Sequence, residues 1–126
     1  MKIVILIVMF FCHIVDDYYL QGCLANMKQK LWWQTLTSNK LYKYDYIMAL
    51  LEHAFSWSFM IMLPALIYMI YNNELHIGLY VAMLVGNLIG HSIIDDLKAN
   101  ELCISLITDQ CLHFIQIIVT WWLFIL

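Results

Sequence analysis

Length, composition and charge exclude most classes of soluble protein. The chain has 126 residues, of which 64% are hydrophobic and only 12% are charged, whereas a soluble domain is about half apolar and about a quarter charged. These values predict a small polytopic membrane protein with a single helical domain over residues 1–126, and the net charge of −3 gives no reason to expect a nucleic-acid partner.

Four apolar segments are each long enough for a transmembrane helix of about 20 residues. They run from Ile3 to Leu24, from Tyr46 to Tyr71, from Leu75 to Asp96 and from Leu102 to Leu126. The predicted fold is therefore all-α, with four transmembrane helices in a compact bundle. Pro64 lies inside the second segment and predicts a kink, because its ring displaces a backbone hydrogen bond.

The connection between the first two helices, residues 26–45, has the composition of a membrane-surface segment. It carries four lysines, two tryptophans and two tyrosines, and lysines with aromatic rings suit the headgroup layer. A short interfacial helix near Lys28–Leu36 is one expectation, and an ordinary connecting loop is the alternative.

The lysines also predict an orientation. Five of the six lie in the first and third connections, and the second connection has none. Positively charged connections stay on the cytoplasmic side. We therefore expect an integral protein of the inner or plasma membrane, with both lysine-bearing connections cytoplasmic and both termini outside.

Three pairs of His and Asp stand four residues apart in this apolar sequence. They are His13 with Asp17, His91 with Asp95, and Asp109 with His113. A spacing of four places both members of a pair on one helix face. Because each ionisable group at membrane depth costs roughly 2.5–3.5 kcal/mol on insertion scales, matched pairs indicate a common purpose, and the simplest is a metal.

The predicted topology brings these pairs to one depth. At roughly 1.5 Å per residue, most of the six groups lie about 7–17 Å below the cytoplasmic boundary. His53 of the second helix lies at the same level, whereas His76 belongs to the opposite connection and is excluded. The expected metal ligands are therefore His13, Asp17, His53, His91, Asp95, Asp109 and His113.

Four imidazoles and three carboxylates are more donors than one tetrahedral zinc needs. They suit two divalent ions bridged by carboxylates. Alternatively, three or four of them bind one ion, and the others orient these ligands or serve as a base. Zinc is the expected metal, with manganese or iron as alternatives, and a proton relay or polar contacts between helices are the readings without a metal. Asp16 and Glu52 are the expected catalytic bases, and the expected orienting groups are Gln21, Asn87, Lys98 and Gln110.

The motifs also follow one another in a recognisable order. They are His13-x-x-x-Asp17 with Leu20 and Gln21, a connection with Trp32, Trp33 and Lys40, then His53, His91-x-x-x-Asp95 with Lys98, and Asp109-Gln110-x-x-His113. This pattern resembles a family of small membrane proteins of bacteria and phages, known only as a domain of unknown function. That family is similar in style to membrane-bound metal-dependent hydrolases, an analogy that implies no substrate. The chain departs from it at Asp16, where the family usually has a small residue, so either Asp16 or Asp17 is open as the coordinating aspartate.

Three functions are compatible with this sequence. The first is a membrane-embedded metal-dependent hydrolase acting on a lipid-linked or amphiphilic substrate. The second is a non-catalytic, phage-type membrane interaction protein, active in exclusion or counter-defence, whose cluster only holds the helices together. A metal or proton transporter ranks third, because the outer halves of the helices are almost free of charge. The expected partners are the lipid bilayer and either another membrane protein or a second copy packed through Gly86 and Gly90.

Overall fold

Helices account for all the regular structure in the described part of the chain. The computed structural model describes residues 2–125. In that range there are six α-helices, a π-helical turn (Asp16–Leu20) and a 3-10 turn (Lys40–Tyr42), with no strand. The α-helices are α1 (Lys2–Val15), α2 (Leu24–Met27), α3 (Lys30–Leu36), α4 (Asp45–Tyr71), α5 (Ile77–Ala99) and α6 (Leu106–Ile125). The all-α prediction is confirmed.

Four helical stretches are long and apolar enough to cross a membrane. They cover Lys2–Leu20, Lys40–Tyr71, Ile77–Ala99 and Leu106–Ile125. α1 packs against α4 and α6, and α5 packs against the same two helices, so the four long helices surround a common interior. α4 continues through Pro64 without interruption, so the proline does not break the helix.

The predicted helix ends differ from the observed ones by up to four residues, and at the two largest differences backbone conformation gives the reason. The first helical stretch ends at Leu20 rather than Leu24, because Gly22 adopts a left-handed φ of 50° that stops a helix. The last helix begins at Leu106 rather than Leu102, since Leu102 itself has a φ of 53°. The predicted end of this helix at Leu126 lies outside the described residues.

The polarity of the molecule is the reverse of that of a soluble protein. Large apolar side chains point outward on all four long helices, for example Phe11, Ile67, Val85 and Ile115. The interior has an apolar part and a part that is rich in ionisable groups. The apolar part contains Met9, Trp57, Ile61, Met62 and Ile117. Soluble proteins rarely expose so much contiguous apolar surface, so the helices need an apolar covering.

The first and third connections meet at one end of the bundle, as predicted. The Asn100 side chain accepts from the Lys30 backbone at 2.7 Å and donates to the Lys28 carbonyl at 3.1 Å. Lys30 Nζ also pairs with Glu101 Oε1 at 2.7 Å, and this hydrogen bond raises the pKa of the Lys30 ammonium group above its usual value. These contacts hold α2 and α3 against the end of α5. α3 lies within the predicted short helix, which confirms its helical part.

Candidate metal centre

Ionisable side chains from all four long helical stretches meet at one level of the interior. Each is less than one-tenth exposed, and together they form what we call the His–Asp cluster: His13, Asp16, Asp17, His53, His91, Asp95, Asp109 and His113. The structure therefore brings together all seven predicted ligands, and it adds Asp16. These groups have little or no contact with solvent, so most of their charges and lone pairs must find partners inside the protein.

Two consecutive aspartates point inward where α1 passes into the π-helical turn. They stand three and four residues after His13, so all three share one helix face, and all three are buried. The turn is closed by the Gln21 backbone N–H, which donates to the Asp16 carbonyl at 3.1 Å, five residues back. Single π-turns of this kind occur frequently at functional sites.

The first group of donors is formed by Asp17, His53 and His91. His53 Nε2 lies 3.2 Å from His91 Nε2 and 3.3 Å from Asp17 Oδ1. It also lies 3.4 Å from Asp95 Oδ2. A tetrahedral ion with bonds of about 2.0–2.1 Å places its ligand atoms about 3.3 Å apart. These buried atoms could therefore hold a metal ion.

The second group is formed by His91, Asp95 and His113. His113 Nε2 lies 3.3 Å from Asp95 Oδ1 and 3.4 Å from Asp109 Oδ1. Within residues 2–125, neither His113 Nε2 nor Asp109 Oδ1 has a hydrogen-bond partner. Asp95 lies between the groups, because one of its oxygens faces His53 and the other faces His113.

Outer groups hold two of the carboxylates so that one oxygen stays directed at an imidazole. Asp109 Oδ2 accepts from Lys98 Nζ at 2.7 Å and from Gln110 Nε2 at 3.0 Å, which leaves Oδ1 for His113. Asp17 Oδ2 accepts from the same amide at 3.1 Å, which leaves Oδ1 for His53. Metal ligands in proteins are commonly oriented in this way. Lys98 and Gln110 therefore contact the carboxylates on the side away from the imidazoles, and their expected orienting role stays a prediction.

One imidazole is oriented from its far side. His113 Nδ1 lies 3.1 Å from Gln116 Oε1, to which it can only donate, so Nε2 is left facing the carboxylates. His53 is not held in this way: its Nδ1 lies 3.9 Å from Asp16 Oδ2, too far for a hydrogen bond, and neither atom has a partner among the described residues. Ser56 Oγ donates to the other Asp16 oxygen at 2.6 Å. Asp16 therefore lies behind His53, not among the donors.

His13 has a different position from the one the spacing predicts. Its Nδ1 accepts from Trp57 Nε1 at 2.7 Å, and its Nε2 donates to Gln110 Oε1 at 3.0 Å. Both ring nitrogens are therefore used, and Gln110 separates His13 from Asp17. The structure places His13 beside the metal-ligand candidates, where it holds Gln110 in position.

Three other predicted site residues contact no ligand candidate through their side chains in the described residues. Glu52 is exposed on the outer face of α4, so the structure does not bring this expected base to the cluster. Asn87 bonds to Thr120 at 2.9 Å, one turn of α5 away from His91. The Gln21 amide donates only to the backbone carbonyl of Asp17.

Several contacts of the cluster were missed by sequence reasoning. Lys28 reaches in from the end of α2, and its Nζ lies 2.5 Å from Asp95 Oδ2. Nothing in the sequence indicates that this connection folds over the cluster. The contacts of Trp57 and Gln116 could have been predicted from the sequence. Trp57 follows His53 by four residues and Gln116 follows His113 by three, so each shares a helix face with that histidine.

The cluster has a surplus of negative charge. Four carboxylates (Asp16, Asp17, Asp95 and Asp109) face two ammonium groups (Lys28 and Lys98), which leaves a net charge of −2 when the imidazoles are neutral. An uncompensated buried charge is strongly destabilising. One divalent cation would neutralise this set.

Comparison of the chain with protein-family models, with curated proteins and with solved structures gave no match. The resemblance to the family of small bacterial and phage membrane proteins therefore stays an expectation drawn from the motifs. The chemistry of the site has to carry the functional argument.

Proposed function

We propose that this protein is an integral membrane protein that binds divalent metal in the His–Asp cluster and hydrolyses a lipid-linked or amphiphilic substrate. The observation that carries the proposal is the set of buried donor atoms 3.2–3.4 Å apart, contributed by four helical stretches. Two of these atoms, His113 Nε2 and Asp109 Oδ1, have no hydrogen-bond partner among the described residues. A metal ion would supply what they lack.

A location in the membrane accounts for the reversed polarity of the fold. The outward-facing Ile, Leu, Val and Phe side chains would contact lipid, and four stretches have the length to span it. The connections that carry Lys28, Lys30, Lys40, Lys43 and Lys98 would face the cytoplasm. The cluster then lies near that side of the inner or plasma membrane. Membership of the family of small bacterial and phage membrane proteins is part of this proposal.

The two donor groups differ in whether they leave an open coordination position on the metal ion. The first has four protein donors when Asp95 is included with Asp17, His53 and His91, which is the number of a closed, structural zinc site. The second keeps three, Asp95, Asp109 and His113, when the His91 Nε2 that it shares with the first group binds the first ion, and three protein ligands with an open position are typical of catalytic zinc. We therefore propose two ions bridged by Asp95, with zinc as the metal and manganese or iron as alternatives.

The residues around the open position have separable roles. A bound ion would polarise the scissile group and lower the pKa of a coordinated water toward about 7. Lys98 and Gln110 hold Asp109 through its Oδ2, so that Oδ1 would be directed at the second ion. Asp16, which the sequence offered as a base, lies behind His53, with its Oδ2 3.9 Å from Nδ1.

A non-catalytic role in a membrane complex is the second candidate, and a surface pocket favours it. The pocket has a volume of about 340 Å³ and is lined by residues of the first connection, including Lys30, Trp33 and Tyr42, and by Tyr46 of α4. Its aromatic side chains suit a protein partner, because aromatic residues are enriched at protein interfaces. In that case the cluster would only hold the helices together, and every substitution in it should lower stability and function in parallel.

A transporter is less well supported, because the apolar core around Trp57 and Ile61 closes the other half of the bundle.

Metal content tests the main proposal directly. Protein purified in mild detergent without chelators should contain one to two equivalents of metal by mass spectrometry. His91→Ala should lose most of it, because His91 belongs to both donor groups. His76→Ala is the matched control, since His76 is an exposed histidine outside the cluster. Folded wild-type protein that stays free of metal after incubation with zinc, manganese and iron would refute the proposal.

A further inference from the structure

A pocket of about 360 Å³ opens beside the His–Asp cluster at the connection end of the bundle. Asp95 lies at its floor, and Gln21, Lys28, Gln29 and Lys98 contribute its polar lining. Ala25, Ala99 and Leu102 give the same pocket an apolar side. The pocket therefore combines positive charge, amide donors and apolar surface next to the donor group that has an open position.

The two lysines of this pocket are paired with carboxylates that a metal would also use. Lys28 Nζ lies 2.5 Å from Asp95 Oδ2, the oxygen that faces His53 Nε2 at 3.4 Å. Lys98 Nζ lies 2.7 Å from Asp109 Oδ2. A divalent ion bound to these carboxylates would share their negative charge with the lysines and repel the two ammonium groups. An anion in the pocket would then compensate the positive charge of Lys28 and Lys98.

The charge of the loaded site favours an anion with two negative charges. With two divalent ions bound, the net charge of the cluster changes from −2 to +2. A phosphate monoester dianion would neutralise it, and lysines are common phosphate ligands in proteins. A neutral ester would leave the two ammonium groups uncompensated.

The mouth of the pocket adds an apolar feature. Leu102 is 81% exposed, and its φ of 53° is unusual for a residue other than glycine. This backbone holds an apolar side chain at the rim, on the side of the pocket where Ala25 and Ala99 lie. An acyl or prenyl chain attached to a phosphate could pack there.

We propose that this pocket binds the phosphate group of an amphiphilic substrate, with Lys28 and Lys98 as its ligands. The proposal rests on the proposed function, because it names the substrate class of the same metal site. It requires that metal and phosphate bind with positive coupling, since a phosphate anion in the pocket reduces the electrostatic repulsion between the metal ions and the two ammonium groups. By linkage, phosphate must then raise metal affinity by the factor by which metal raises phosphate affinity.

The test measures the affinity for Co²⁺ from its visible absorption, with and without a phosphate ester. Methyl phosphate represents a free ester and dodecyl phosphate a lipid-like one. In wild-type protein, dodecyl phosphate should tighten Co²⁺ binding about tenfold, a typical coupling. An equal gain from methyl phosphate would show that the phosphate group alone suffices, and a gain from dodecyl phosphate only would show that the chain contributes.

Three variants separate the pocket from general electrostatics. Lys28→Met and Lys98→Met should each reduce the phosphate-dependent gain to less than about threefold, and Lys40→Met should keep it. Lys40 is an exposed lysine of the same connection and lines only the other pocket. If Lys28→Met fails to fold, Lys98→Met still tests the pocket, because Lys28 lies at the end of α2 whereas Lys98 lies in α5.

The outcomes distinguish this inference from the proposed function. Wild-type protein that binds Co²⁺ without any phosphate-dependent gain would overturn the phosphate pocket and leave the metal site intact. The same conclusion holds if all three variants keep the full gain. If wild-type protein binds no metal, the proposed function fails, and this inference, which rests on it, fails with it.

Discussion

Gly90→Ala should weaken metal binding while leaving the fold almost intact. A Cβ atom at Gly90 would lie 2.6 Å from Gln116 Nε2, closer than real Cβ contacts come. The Gln116 side chain is flexible and can move away, but it then loses its contact with His113 Nδ1 at 3.1 Å. His113 is freed to rotate, and Nε2 no longer faces the carboxylates.

The expected size of the effect depends on the type of contact that is lost. Removing an outer group that orients a metal ligand typically costs about 10–100-fold in metal affinity. The loss of one hydrogen bond lowers the free energy of unfolding by only about 1 kcal/mol, and replacing glycine by alanine in a helix raises it by roughly 0.5–1 kcal/mol. Metal affinity should therefore fall by at least about tenfold, whereas the unfolding temperature of the metal-free protein should hardly change.

Gly86→Ala is the matched control for this prediction. It lies one turn earlier on α5, and a Cβ atom there would meet nothing within 4 Å in the described chain. Both variants are titrated with zinc against a chelator of known affinity, and thermal unfolding is followed in detergent. Equal affinities for the two variants would refute the argument that Gln116 orients His113. If Gly86→Ala instead changes the oligomeric state, the expected contact between copies through Gly86 and Gly90 gains support.

Three more predictions concern single contacts. Trp57→Phe leaves His13 Nδ1 without its donor, so the free energy of unfolding in detergent should fall by about 1–3 kcal/mol; an unchanged value would mean that water replaces the indole. Asn100→Ala removes the contacts that hold Lys28 and Lys30, so hydrogen exchange should increase across residues 28–36 and not in α6. Glu52→Gln should change neither metal content nor hydrolysis, because Glu52 is exposed away from the cluster; loss of activity would restore Glu52 as a base.

The approximate positions of the long helices and the convergence of the ionisable groups could be read from the sequence. Both depend on simple periodicity: spans of about 20 apolar residues, and pairs such as His91 and Asp95 at a spacing of four. The lysine distribution paired the right connections, because alternate helices run in opposite directions. His53 was found by its depth alone.

The roles of individual site residues could not be read in the same way. His13 has the same spacing to Asp17 as His91 has to Asp95, yet both its nitrogens bond to Trp57 and Gln110. Only the packing of α1 against α4 and α6 decides this. Lys28 was assigned to the membrane surface because its neighbours are polar, although its side chain is only 12% exposed and pairs with Asp95. Periodicity identifies a helix face, but the neighbouring helix determines which atoms are used.

The π-helical turn makes the spacing within this segment of the chain unusually strict. A turn closed by a five-residue hydrogen bond contains one residue more than an α-helical turn. Deleting one residue between Asp17 and Gly22 would restore a regular helix and rotate α1 by about 100° relative to the chain beyond Gly22. His13, Asp16 and Asp17 share one face of the helix, so they would turn together away from their present partners. Chain length at this point therefore sets how the carboxylates of the first helical stretch face the other helices, and an insertion or deletion that an ordinary surface loop would tolerate would here disrupt the site.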